Sequence, residues 1–318
     1  MTVFLKITTA CSMLLFLGCN TSEAEKNATI TASETDATYV RSSENNGATR
    51  ALSQSFKDYW FSGTAELTSY QLSQERYGEL REGTAVTIFV TEEFLPETQV
   101  KANRADKTTI PVLKFNQTKN FLTGIYPYSI MSSTFSPLNE QAHAIKVSAS
   151  IQEWCGHAYM QLNNRDAFEV VTHSYFEGVA DQERTLPKTW LENELWNLIR
   201  IQPKELPTGD ITAIPAFDFM RMYHKEPKAY KAFAALRQGD SITNFTLNYS
   251  QLQRQLTISF QNEFPYEIER WEETNGVAPE DTTRLKTTAV KMKRIKAPYW
   301  TQNANKDLVL RDSLNLKR

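Results

Sequence analysis

The sequence predicts a mostly β protein: one large curved antiparallel sheet, open or partly closed like a barrel, with one amphipathic helix packed against it. Three observations carry this. From Asp58 onward the dominant period is two, as where Ile145, Val147, Ala149 and Ile151 alternate with Lys146, Ser148, Ser150 and Gln152. That is the pattern of a half-buried antiparallel strand. Similar segments recur at 60–72, 85–90, 110–119, 124–135, 157–163, 167–177, 243–249, 254–260, 265–271 and 284–295. Gly, Pro or Asn separates many of them, and they follow one another too closely for alternating βαβ units.

The chain begins differently. Residues 1–18 carry one cation, Lys6, and then an apolar run ending in Leu14-Leu15-Phe16-Leu17. The run is shorter than the roughly 20 residues needed to span a bilayer and fits a secretory signal. Phe16-Leu17-Gly18-Cys19 resembles the lipobox of bacterial lipoproteins, which implies acylation of Cys19 as the first residue of the mature chain. More than one acyl chain gives stable anchoring. Residues 19–50 are rich in Ser, Thr, Asn, Glu and Ala with almost no large apolar residue. They read as a leash that cannot bury enough surface to offset its ordering entropy. Glu23 and Glu25 resemble the acidic export tags of surface lipoproteins in some Gram-negative groups. The expected address is the bacterial cell envelope, lipid-anchored at the outer membrane on its periplasmic or surface face.

Cys11 lies in the removed segment and Cys19 is lipidated, so Cys155 is the last of the three cysteines. No disulfide framework is expected, and stability must come from the apolar core that residues 51–318 can bury as a single β-rich domain. Two sub-sheets joined near a helix at 189–202 are an alternative. That helix is predicted from a capping box, Thr189 with Glu192, followed by an apolar stripe of Leu191, Leu195, Leu198 and Ile199 before Pro203. Residues 227–237 fit either a helix between Pro227 and Gly239 or a strand with Tyr230, Ala232, Ala234 and Leu236 on one face. The strand is preferred. Residues 221–225 read as a strand with Arg221, Tyr223 and Lys225 on one face and Met222 with His224 on the other.

The stretch Gln152-Glu153-Trp154-Cys155-Gly156-His157-Ala158 raises the question of chemistry. WCGH resembles the start of a disulfide-isomerase redox loop, but the second thiol such chemistry requires is replaced by Ala158. Apolar residues are odd-numbered up to Ile151 and even-numbered from Ala158, so the register must slip between them. A bulge or tight turn at Gly156 would do this. A bulge there would send Glu153 and Cys155 inward and His157 outward. A later slip would put Glu153, Cys155 and His157 on one face about 6–7 Å apart. Those three could then form a thiolate–imidazole pair or a partial metal site completed by His173 or His224. A pocket lined by Glu153, Trp154, Cys155 and His157 is the milder expectation, with His173, Arg221 and His224 secondary. No complete motif calls for a metal or other cofactor. The cluster Lys291, Lys293, Arg294 and Lys296 reads as a solvated strand face. With a net charge of −2, no nucleic-acid partner is expected.

Over most of residues 55–318 the chain resembles a family of bacterial lipoproteins of unknown function often labelled "septum formation inhibitor Maf". The resemblance lies in GTAELTSYQLSQERYGELREGTAVTIFVTEEF, GIYPYSIMSSTF, IQEWCGHAYMQLN, FPYEIERWEE and the closing APYWTQN and LRDSL. The label implies a nucleotide pyrophosphatase of α/β fold, whose Ser-x-Ser-x-Arg-Arg motif this sequence lacks. The β-rich body also resembles the unclosed barrels of lipoprotein carriers, whose concave face holds acyl chains. The expected role is therefore a non-enzymatic envelope protein that binds an amphiphile or a partner protein on a β-sheet surface. The alternatives are a thiol- or metal-dependent hydrolase at Glu153, Cys155 and His157, and, last, the labelled pyrophosphatase.

Overall fold

The computed structural model describes residues 48–275 and 285–317. The signal-like segment, Cys19 and most of the leash lie outside the described residues. A short helix, α1 (Gln54–Trp60), opens the domain, capped by Ser53, whose hydroxyl accepts from Phe56 N at 3.1 Å. Hairpins follow in sequence: β1 (Ala65–Arg76), β2 (Glu79–Leu95) with a two-residue β3 (Val100–Lys101) on its end, β4 (Ile110–Thr123), β5 (Tyr126–Pro137), β6 (Lys146–Glu153), β7 (Gly156–Asn164), β8 (Phe168–Ser174) and β9 (Gln182–Leu186). After β10 (Trp190–Leu191) come α2 (Glu192–Ile201), β11 (Gly209–Ile214) and α3 (Phe217–Met222). The chain then returns to hairpins, β12 (Tyr230–Gln238), β13 (Ile242–Tyr249), β14 (Arg254–Gln261), β15 (Ile268–Thr274) and β16 (Thr287–Ala297), and ends in α4 (Val309–Ser313).

All these strands join one sheet in the order β10-β11-β12-β13-β14-β15-β16-β1-β2-β4-β5-β6-β7-β8-β9, with β3 attached to β2. Every neighbour pair is antiparallel except β10 with β11. The two ends of this path, β9 and β10, are consecutive in the chain and joined only by Pro187, Lys188 and Thr189. Four residue steps cover at most about 14 Å, so the sheet curls until its edges face each other. No backbone ladder closes that seam. Side chains cross it instead: Arg184 on β9 donates to Glu226 at 2.9 Å, and Phe176 lies edge-on to His224 at 5.7 Å.

The alternation read from the sequence sets which side chains enter the curl. Phe89 of β2, Phe115 of β4, Ile130 of β5, Val147 of β6, Met160 of β7 and Phe245 of β13 all belong to one buried core. Residues 230–238 are the strand preferred above, with Tyr230, Ala232 and Ala234 buried. The predicted helix is present but starts later, at Glu192. Its capping carboxylate is Glu194, which accepts from Leu191 N at 3.0 Å. Thr189 turns its hydroxyl to Thr212 O of β11 instead, at 2.7 Å.

Two further expectations are corrected. Residues 217–222 form a helix, not a strand, so Arg221 and Met222 do not alternate across a pleat; Lys225 N closes the end of α3 on Met220 O at 2.8 Å. There is also one continuous sheet, not two sub-sheets. Every residue of α2 and of α3 is buried, because both helices fill the inside of the curl rather than cover its outside. A cavity of about 10 Å³ lies between them and the sheet, near Phe115, Trp196 and Glu273, roughly enough for one water.

Buried ions hold this filling. Arg254 of β14 donates to Glu192 of α2 at 2.5 Å and to Glu273 of β15 at 3.0 Å. Lys119 of β4 donates to Glu273 and to Asp218 of α3, both at 3.0 Å. Near the other end of α2, Arg200 forks onto Glu66 of β1 at 2.5 and 2.7 Å. Burial alone would raise the Glu66 carboxyl; the Arg200 guanidinium outweighs it and brings the group down to about 2. Glu273 is likewise held below the usual carboxylate range by Lys119 and Arg254, against its burial.

Replacing Arg254 with Met leaves the Glu192 carboxylate buried without its cation and Glu273 with Lys119 alone. The expected loss is about 3–5 kcal/mol of unfolding free energy, read from the midpoint of urea denaturation. Depressed carboxyls add stability that is complete above their unfolded value, near 4.5, and is lost on acidification. The share of stability these carboxylates supply should therefore be complete at about pH 5 and fall steadily toward pH 2, as thermal melts across that range will read.

Candidate functional site at the hairpin rim

The register slip in QEWCGHA is a tight turn. Glu153 pairs with Gly156 and Ile151 with Ala158, leaving Trp154 and Cys155 as a two-residue hairpin tip. This arrangement lets Ile151 and Ala158 both face inward although their parity differs. Cys155 is thus neither a core residue nor part of a shared face: it is exposed at the tip. Its N–H donates to Glu153 Oε2 at 2.7 Å, and the same carboxylate, by hydrogen bonding and by charge, raises the thiol above its ordinary value. Nucleophilic catalysis needs the opposite shift. His157 is exposed on β7, opposite Gln152.

The remaining candidates do not complete a metal site. His173 on β8 meets Asp181 through Nδ1 at 3.1 Å. His224 stands just past α3 with φ +50, its imidazole depressed by burial and then by Arg221 and Arg76. Arg221, lowered by burial, reaches Val179 O at 3.5 Å. Among the described residues no group of three His, Cys, Asp or Glu side chains is placed to hold a metal ion.

What these residues share is one end of the curled sheet. β1, β4, β6 and β8 all run toward it, so the turns at 77–78, 124–125, 154–155 and the loop 175–181 lie side by side there. The 77–78 turn has φ +56 at Tyr77 and +74 at Gly78, and Gly124 has +58. Such turns normally take Asn, Asp or Gly at their centres, yet here they present Tyr77 (60% exposed), Ile125 (83%), Trp154 (68%) and Tyr175 (72%). Aromatic contacts run from tip to tip. The Tyr77 and Tyr128 hydroxyls are 2.9 Å apart, Tyr128 and Tyr126 rings 6.0 Å, Tyr126 and Trp154 6.5 Å. A Cβ on Gly156 would sit 2.9 Å from the Tyr175 ring, and Tyr175 lies 5.4 Å from Phe176. Arg76 stacks over Tyr77 at 4.2 Å and donates to Met222 O at 3.0 Å, joining this rim to the end of α3.

Two other features were not foreseen. His143, in the segment before β6, holds Glu194 of α2 at 2.8 Å, edge-on to Phe168 and Trp190. Burial would lower this histidine, but Glu194 raises it, so the pair stabilises fully below the usual histidine value and is lost as pH climbs past the raised one. Nothing local to "AHAI" signals it. The second lies on the outer face, where residues 298–316 fold back over β1, β2 and β16. There Leu67, Val86, Ile88, Leu310 and Leu314 line an open apolar cleft of about 430 Å³. Two of the four cations in 291–296 are ion-paired: Lys291 with Glu267 and Glu269, Arg294 with Glu267.

The chain matches no family model, no curated protein and no solved structure.

Cys155 should react with iodoacetamide in the native protein, but slowly near neutral pH. Glu153→Gln should speed that reaction, as mass-spectrometric rates between pH 7 and 9 will show. A faster wild-type thiol would restore the nucleophile reading.

Proposed function

We propose that this protein is a lipid-anchored, non-catalytic envelope module that binds with its outer surface, above all with the hairpin rim. The single observation carrying this reading is the filled interior. A carrier that stores an amphiphile on the concave face needs an open groove of several hundred Å³, whereas every residue of α2 and α3 is buried there and the cavity beside them is about 10 Å³. The most exposed large apolar side chains gather instead at the four tips, where contiguous apolar exposure marks an interaction site.

The tether rests on the sequence, from the lipobox-like Phe16-Leu17-Gly18-Cys19. Thiol or metal hydrolysis at Glu153, Cys155 and His157 fits poorly with a raised, tip-mounted thiol and an exposed imidazole. The pyrophosphatase and septum-inhibitor label of the resembling lipoproteins ranks last. An almost wholly antiparallel sheet offers no crevice at the carboxyl ends of parallel strands, where such folds bind nucleotides. A second reading, amphiphile binding, is favoured by the outer cleft of about 430 Å³, a volume within the range of small-molecule sites.

Native mass spectrometry of the protein released from its own envelope tests the reading. The expected species begins at Cys19, carries acyl groups and retains no further small molecule. A chain beginning at unmodified Met1 would overturn the tether. An amphiphile retained by wild type but lost with Leu314→Asp would move the function to the outer cleft.

A further inference from the structure

We propose that the hairpin rim is a membrane-interface contact, seating Tyr77, Ile125, Tyr126, Trp154 and Tyr175 in the headgroup region of a phospholipid bilayer. This rests on the surface-binding reading above and names the surface. Aromatic side chains with one polar atom favour the interface between water and hydrocarbon, where the ring leaves water and the polar atom stays wet. Tyr77, Tyr126, Trp154 and Tyr175 are of this kind, and Ile125 adds a wholly apolar tip that is 83% exposed.

The rim is also built, not incidental. Tyr77 occupies a left-handed backbone conformation at φ +56, unfavourable for a bulky residue. It is kept there by the guanidinium of Arg76 at 4.2 Å from its ring and by the Tyr128 hydroxyl at 2.9 Å. Each tip stands on a paired hairpin, so little side-chain or loop ordering is needed on docking.

Charge and chain path point to a bilayer rather than an anionic polymer or a charged partner. Near the rim Arg81 pairs with Glu79 at 2.5 Å, His173 with Asp181 at 3.1 Å and Arg184 with Glu226 at 2.9 Å, and the five side chains that meet lipid carry no charge. Attraction is then apolar and indifferent to headgroup sign. The described chain starts at the opposite end. Thr49 bridges Glu140, and Arg50 donates to Pro137 O at 2.9 Å, beyond the far end of β5. Residues 20–47, which join there, can extend about 100 Å. A tether of that reach is long enough for the rim to meet the bilayer that carries the anchor.

The test uses the full chain with Cys11→Ser and Cys19→Ser, so that acyl chains are absent and Cys155 is the remaining thiol. An environment-sensitive fluorophore on Cys155 is titrated with phosphatidylcholine vesicles. The label should brighten and shift to the blue, be quenched by lipids carrying a shallow nitroxide, and respond equally in 0.5 M salt (about five times the ionic strength that leaves a Debye length near 10 Å). Ile125→Asp with Trp154→Asp, at tips that make few buried contacts, should keep the circular dichroism and weaken partitioning at least about tenfold. A label indifferent to vesicles, or a response unchanged in the double variant, overturns the bilayer proposal. So does a label that responds to an isolated envelope protein and not to lipid, an outcome that leaves the surface-binding reading standing.

Discussion

The buried ion pairs that tie α2 and α3 to the sheet are the constraint on which the rest of this structure depends. Arg254 joins β14 to α2 and β15, Lys119 joins β4 to α3 and β15, and Arg200 joins α2 to β1. Asn197 adds a bond from α2 to Leu113 O of β4 and another to Ser136 of β5, both at 2.8 Å. Two helices are thus fastened to widely separated strands of one sheet. Apolar contacts alone could fill the curl, and replacing a buried pair with apolar side chains is often neutral or stabilising. What the ions add is position: each carboxylate or guanidinium left without its partner is costly. The helices accordingly sit in one register inside the sheet.

That arrangement decides where binding takes place. A sheet of this length curls naturally as strand twist accumulates, and its edges, β9 and β10, are brought together by a three-residue connection. With the interior filled, the seam needs no ladder: Arg184, Phe176, Val179 and their partners across the gap suffice. Binding is then left to the outer surface, where the rim of tips and the cleft beneath the C-terminal segment expose apolar side chains.

The sheet was legible because period-two alternation is a local property. Ile145 to Ile151 and Ala158 to Leu162 declared their inward faces, and the parity change between them located the turn that carries Trp154 and Cys155. The plug was not legible. In ENELWNLIRI the residues Glu192, Asn193, Asn197 and Arg200 look like the wet side of a surface helix, since their partners Arg254, Phe217, Leu113 and Glu66 lie 24 to 134 positions away. FDFMRM alternates as well as a strand does, and only its place inside the curl makes it helical. The site was half legible. Trp154, Cys155, His173, Arg221 and His224 were singled out for chemistry, and the fold does bring them to one end, but as parts of an apolar rim. The signal that could have found that rim was present: Tyr, Ile and Trp-Cys where hairpin turns ordinarily carry Asn or Gly.

The central claim is that α2 and α3 are permanent filling, so that no ligand enters the curl. Native-state hydrogen exchange measures this directly, residue by residue. Amides of Leu195–Ile201 and Met220–Met222 should be as strongly protected as those of β4 and β5, with or without detergent micelles. Exchange of the two helices while the strands around them stay protected would reveal a removable plug, and would contradict that claim.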